Sequence, residues 1–171
     1  MAHLVICILL TVSLSAYACD LVLETSPMCR DDSYCNERYR LAHQYKDSAA
    51  VFRATVLSAV RLNRQAWPFS RMTVQIDHVW KTDGGPLDII ESGYGQGDCG
   101  IVLKVGRQYI IFAARQSGDV SGTPSKKKPL AIGVPGFPVQ ISPDEGSSEK
   151  TRSFQYMQRD AAYSVLDNAG K

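Results

Sequence analysis

The chain has 171 residues, 44% of them hydrophobic, with 19 Lys+Arg against 17 Asp+Glu and a formal net charge of +2. That length suits one domain rather than two. A charge balance so close to neutral gives no general attraction for a polyanion, so nucleic acid is not an expected partner.

In chain order, residues 4–14 (LVICILLTVSL) form an apolar run, and Ala16-Tyr17-Ala18 follow with the small-x-small pattern that signal peptidase reads. The run is too short for a finished membrane anchor, and no later stretch reaches the roughly 18 apolar residues of a spanning helix. Residues 1–18 are therefore expected to be a signal peptide. Residues 19–171 are then one secreted, extracellular domain that begins at Cys19. A lipid-attached N-terminal cysteine is the rival reading, but Ala16 and Tyr17 fit a lipidation box poorly. Cys7 leaves with the signal peptide, and Cys19, Cys29, Cys35 and Cys99 remain. Four cysteines in an exported chain read as two disulfides, with three possible connectivities. No pair has CxxC spacing, so a zinc site built from these thiols is not expected.

Residues 31–46 read as a helix, capped by Asp31, Asp32 or Ser33, with Tyr34, Arg38, Leu41 and Tyr45 at helical spacing. Residues 50–60 read as a strand with Phe52, Ala54 and Val56 on one face and Arg53 and Thr55 on the other. In the next strand, residues 72–80, Met72, Val74, Ile76, His78 and Trp80 share one face. Between these strands Trp67-Pro68-Phe69 form an apolar patch, either a contact surface or the lid of a barrel. A Gly84-Gly85-Pro86 turn leads to a short strand, Leu87–Glu91, and a loop with Gly93, Gly95, Gly97 and Gly100 follows. Residues 107–114 form a fourth strand and 129–134 a fifth, with Pro135–Pro143 irregular. Residues 148–167 read as a terminal helix with Phe154, Met157, Ala161 and Val165 on one face. Five short antiparallel strands between two helices close most economically as a small barrel, which removes free edges. The expected class is mainly β, a five-stranded OB-fold-type barrel with flanking helices.

Candidate chemistry is sparse. His43 or His78 beside Cys29 or Cys35 suggests a thiol nucleophile and its base. An even set of cysteines in an exported chain points instead to bridges, with His78 a packed, hydrogen-bonded residue. There is no nucleophile elbow, no HExxH and no phosphate loop before a helix. The glycine-rich loop precedes a strand and so lacks the helix N-terminus of an anion site. Neither catalysis nor a resident cofactor is expected. Lys126-Lys127-Lys128 is the one basic run, in a Ser/Gly/Pro-rich stretch. It is either a solvated loop or a weak site for an anionic matrix polysaccharide. There is no Asn-x-Ser/Thr sequon.

Several segments together resemble one family. They are a signal peptide ending directly before Cys19, the strand AVFRATVLSAV, its partner TVQIDHVWK, and Asp98-Cys99-Gly100 followed by GRQYIIFA. In these the chain resembles the tissue inhibitors of metalloproteinases and the netrin-like module to which their inhibitory half belongs. The resemblance covers roughly residues 19–167. It implies an OB-fold-type barrel and a Cys19–Cys99 disulfide, leaving Cys29 and Cys35 as the second pair. It also implies a secreted, monomeric inhibitor whose Cys19 amine and carbonyl chelate the zinc of a target metalloproteinase. Asp20 and Leu21 then enter the protease cleft, and Gly97, Asp98 and Gly100 buttress it. The only metal is the protease's zinc, held in trans. The family opens Cys-x-Cys, whereas this chain reads Cys19-Asp20-Leu21. The alternative that the resemblance leaves is a non-inhibitory netrin-like module binding extracellular matrix or a receptor.

Overall fold

The structure, a computed structural model, describes residues 28–64, 67–93, 100–115, 128–133, 138–142 and 144–169. The expected signal peptide therefore lies outside the described residues. The first element, α1, spans Ser33–Asp47. Asp32 is its cap: the Asp32 carboxylate accepts from the Cys35 N–H at 2.9 Å, satisfying one of the free donors of the first turn. At the other end, Ser48 N–H returns to the Gln44 carbonyl. The Lys81 ammonium donates to the carbonyls of Tyr45 and Lys46 at 2.8 Å each. A cation on the last carbonyls suits the negative end of the helix dipole.

Among the described residues six strands follow: β1 (Ala50–Arg64), β2 (Trp67–Lys81), β3 (Ile89–Gly93), β4 (Gln108–Arg115), β5 (Leu130–Ala131) and β6 (Val139–Gln140); α2 (Glu149–Ala169) is the last described element. They form one sheet in the order β1-β2-β3-β5-β4-β6, and β1 also pairs with β4. The first five strands thus return on themselves as a ring, with the two helices outside it. All pairings are antiparallel except β3–β5, where Ile90 lies beside Leu130 in parallel. This departs from the all-antiparallel expectation. Five is an odd number, so a closed ring of five strands cannot alternate in direction all the way round, and one neighbouring pair has to be parallel.

Other boundaries also shift. β2 begins at Trp67, so Trp67-Pro68-Phe69 belong to the strand rather than to a link between strands, and Phe69 pairs with both Leu62 and Gly93. β3 lies two residues later than expected. The fifth strand shrinks to two residues, and the stretch taken as irregular contains β6, which pairs with β4.

Two buried clusters explain the sequence pattern. Inside the ring, Phe52, Ala54 and Val56 meet Met72, Val74, Ile90, Tyr109, Ile111, Ala113 and Leu130. Every strand of the ring contributes. Outside, Val51, Ile110, Phe112 and Val139 pack against Leu41 of α1 and Ala161, Ala162 and Leu166 of α2. β4 is buried on both faces, which is why it reads as a continuous apolar run rather than an alternation.

The helices bury stripes that match the expected ones only in part: Leu41 and Ala161 are buried and Tyr45 and Val165 partly buried, as expected. In α1, Tyr34 and Arg38 are exposed, while Glu37, Arg40, Leu41 and Gln44 are buried. In α2, Phe154 is exposed and the buried residues are Ala161, Ala162 and Leu166. Small side chains there let the two helices approach. Within the polar stripe of α1 the Glu37 carboxylate is well bonded: Arg40 Nε donates to it at 2.9 Å, and Gln158 of α2 donates to it at 3.0 Å.

Candidate functional site

The glycine-rich loop springs from a closed foot. Gly93 ends β3 and Gly100 resumes the described chain. A Cβ built on Gly100 would fall inside the Gly93 backbone, so no other residue fits position 100 without forcing the two strands of chain apart. The Ile101 N–H donates to the buried Ser92 hydroxyl at 2.7 Å, which ties the same two segments one residue further down. The foot rests on β2. Phe69 lies opposite Gly93 and Arg71 opposite Glu91. Arg71 Nε donates to the Glu91 carboxylate at 2.9 Å, and Glu91 is buried. Of the residues expected to meet a protease, Gly100 is placed at this foot. Cys19, Asp20, Leu21, Gly97 and Asp98 lie outside the described residues, as does Cys99 and with it the expected Cys19–Cys99 bond.

A second local structure precedes α1. Cys29 and Cys35 form a disulfide, the pairing expected for these two cysteines. Within it, the Asp32 N–H donates to the Cys29 carbonyl at 2.9 Å. The Asn36 side chain donates to the Arg30 carbonyl at 2.9 Å, and Arg30 sits at φ 47°. With both sulfurs bonded to each other, neither is a thiol, so the nucleophile-and-base reading loses its nucleophile here. Nor do the histidines converge. His43 is exposed on α1, its ring 4.4 Å from that of Tyr39. His78 was expected on the packed face of β2 and is exposed instead. Arg53 pairs with His78 and Ala54 with Ile76, so Asp77 is an extra residue in the ladder. A bulge of this kind breaks the two-residue period and turns the following side chains. The His78 ring stacks edge-on to Trp80 at 4.5 Å. Asp77 accepts from Gln108 at 2.7 Å, tying the bulge to β4.

The basic run is anchored at one end. Lys128 is exposed, and its carbonyl accepts from Arg115 Nη1 at 2.9 Å; Lys126 and Lys127 lie outside the described residues. The Arg115 side chain is 1% exposed and makes two further bonds, at 2.9 and 3.0 Å, to the Asp83 carboxylate. At the start of β4, Asp144 accepts from Lys104 and, at 3.1 Å, from Gln140, with Arg107 at 3.6 Å. The bonds from Lys104 and Gln140 hold the Asp144 carboxyl below its ordinary value. Tyr109 points into the ring, where its hydroxyl accepts from the Lys104 N–H at 3.1 Å. Burial raises its pKa above the ordinary phenol value. Sequence reading passed over Arg115, Asp83, Glu91 and Asp144. Each pairs with a residue far away in the chain, and a single sequence carries no signal for that.

No protein-family model matches the chain, and no curated protein matches it. Among the described residues no cluster of His, Cys, Asp and Glu is arranged to hold a metal, and no helix is long and apolar enough to cross a membrane.

Proposed function

We propose that the chain is a secreted inhibitor of zinc metalloendopeptidases, built on a five-stranded OB-fold-type barrel with flanking helices. The observation that carries this reading is the closed foot at Gly93 and Gly100. It fixes Gly100, the residue after Cys99 in the sequence, against the end of β3. A disulfide from Cys99 then holds Cys19, as the first mature residue, in one orientation. Its free amine and carbonyl occupy the open position that a catalytic zinc keeps for water.

An α-amine has an ordinary pKa of about 7.7–8.0, and metal ligation needs the neutral form. Inhibition therefore strengthens as pH rises from about 6 to 8. Asp20 enters the protease's first primed pocket. A carboxylate buried there without a partner costs several kcal/mol, and each ~1.4 kcal/mol is tenfold in affinity. Target selection in this chain thus turns on whether the protease offers Asp20 a partner.

The test is one added alanine between the cleavage point and Cys19, assayed against a panel of zinc endopeptidases. It converts the amine to an amide, a poor zinc ligand, and leaves the fold untouched. Inhibition should vanish, while Asp20→Thr should tighten it at least tenfold against a protease with an apolar pocket. Equal inhibition by the alanine-extended chain would exclude zinc chelation.

A second reading is favoured by one observation. The buried Arg115 fixes the carbonyl of Lys128, so the exposed lysine springs from a rigid base. As a netrin-like binding module the chain would hold an anionic matrix polysaccharide through Lys126, Lys127 and Lys128. Neutralising the three lysines should then lower its salt of elution from a sulfated-polysaccharide column, and the alanine extension should leave that elution unchanged.

A further inference from the structure

Between α1, α2 and the disulfide-bonded turn lies an open groove of about 510 Å³. Its walls include Met28, Cys29, Tyr39, Ala42 and Val165, with Arg38 beside them. Met28 is 91% exposed at its rim, and Cys29 beside it is held by the bond to Cys35. The chain therefore enters the described fold on the wall of the groove. Immediately before it runs Cys19-Asp20-Leu21-Val22-Leu23-Glu24-Thr25-Ser26-Pro27. Extended, these nine residues reach about 30 Å. The part of α1 along the groove, Cys35 to Tyr45, is about 15 Å long at the rise of an α-helix. Val22 and Leu23 lie six and five positions before Met28, within reach of the whole groove, and match its apolar walls. Glu24 follows them and is opposite in sign to Arg38, which is exposed on the wall.

We propose that this groove is the seat of Val22, Leu23 and Glu24 of the same chain. Val22 and Leu23 cover Tyr39, Ala42 and Val165, and Glu24 meets Arg38. The segment is then fastened at two points, by its own docking and by the Cys29–Cys35 bond, and Cys19 to Leu21 project from a fixed origin. The proposal does not rest on protease inhibition; a matrix-binding module would seat the segment in the same way.

The full chain with Leu23 replaced by p-benzoylphenylalanine, irradiated at low concentration and mapped by peptide mass spectrometry, tests this. Crosslinks are expected within one chain, to Tyr39, Ala42 or Val165. Adding Val165→Asp should cut their yield at least fivefold while the slow amide exchange of β4 stays unchanged. The map from the chain without Val165→Asp decides by itself, so a misfolded double variant does not rescue the proposal. Crosslinks to the ring strands, crosslinks to a second copy, or no crosslink at all would each overturn it.

Discussion

Arg115 shows how much a single charge is asked to do. Its guanidinium is shut away from water, with all three nitrogens bonded, two to Asp83 and one to the Lys128 carbonyl. Removing it leaves a mostly buried carboxylate without its counter-charge, though the Gly85 N–H still donates to it. Arg115→Met should therefore destabilise by about 3 kcal/mol, read as a lower denaturant midpoint with an unchanged slope. Asp144 is different, because its effect depends on pH. Its pKa in the fold lies below the ordinary 3.8. The stability it contributes is present above that value and is lost as pH falls through the lower, folded one. In Asp144→Asn this acid sensitivity should disappear. The stability gap between the parent and the variant should be constant near neutrality and shrink below about pH 4, as followed by thermal unfolding across pH. Neither role was legible in the sequence. Asp83 and Arg115 are 32 positions apart, and Lys104 and Asp144 are 40 apart. Nothing in local spacing marks one as the partner of the other.

At the scale of elements, the foot of the glycine-rich loop makes the sharpest demand. Gly100→Ala sets a methyl group into the Gly93 backbone, and neither segment can yield while Ser92 holds Ile101. The substitution should cost about 2 kcal/mol. It should also release the Ile101 amide to hydrogen exchange, while Ile110 and Ile111 in β4 stay protected. The sequence did point to this loop, because a cluster of glycines beside a cysteine is a strong local signal. It also placed both helices and the four longer strands, whose apolar periods are regular. It failed where local rules are overridden. Asp77 breaks the period of β2, so His78 was assigned to the wrong face. The buried stripe of α1 contains Glu37 and Arg40, which look like surface residues until Gln158 of α2 is brought to them. β5 and β6 are two residues each, too short to show any period.

For the molecule as a whole, the ring of strands with two helices against its outside was legible as a class. A strand count with clean faces leaves few ways to bury both sides of β4. Closing five strands makes one parallel pair unavoidable, but that β3 and β5 would form it was not legible, since this depends on where the chain returns to the sheet after β4. Of the candidate site, the described residues hold only the foot, at Gly93 and Gly100, and the disulfide at Cys29 and Cys35. The seating of Val22 to Glu24 beside that disulfide would make the first described turn the hinge pin of the N-terminal segment.

The pairing that closes the ring has a kinetic consequence. β1 meets β2 across a tight connection, Arg64 beside Trp67. It meets β4 only after the chain has travelled about sixty residues, from Ala50 to Ala113. Contacts so distant in sequence are slow to form, because the entropy of closing the loop is lost before the contact repays it. The long hairpin therefore precedes the closed ring during folding. Until β4 arrives, the side of Ala50–Thr55 that it will cover stays open as an unpaired edge, a template for any other chain in the same state. Refolding yield should accordingly fall with rising protein concentration, and the species lost should be rich in intermolecular β-structure.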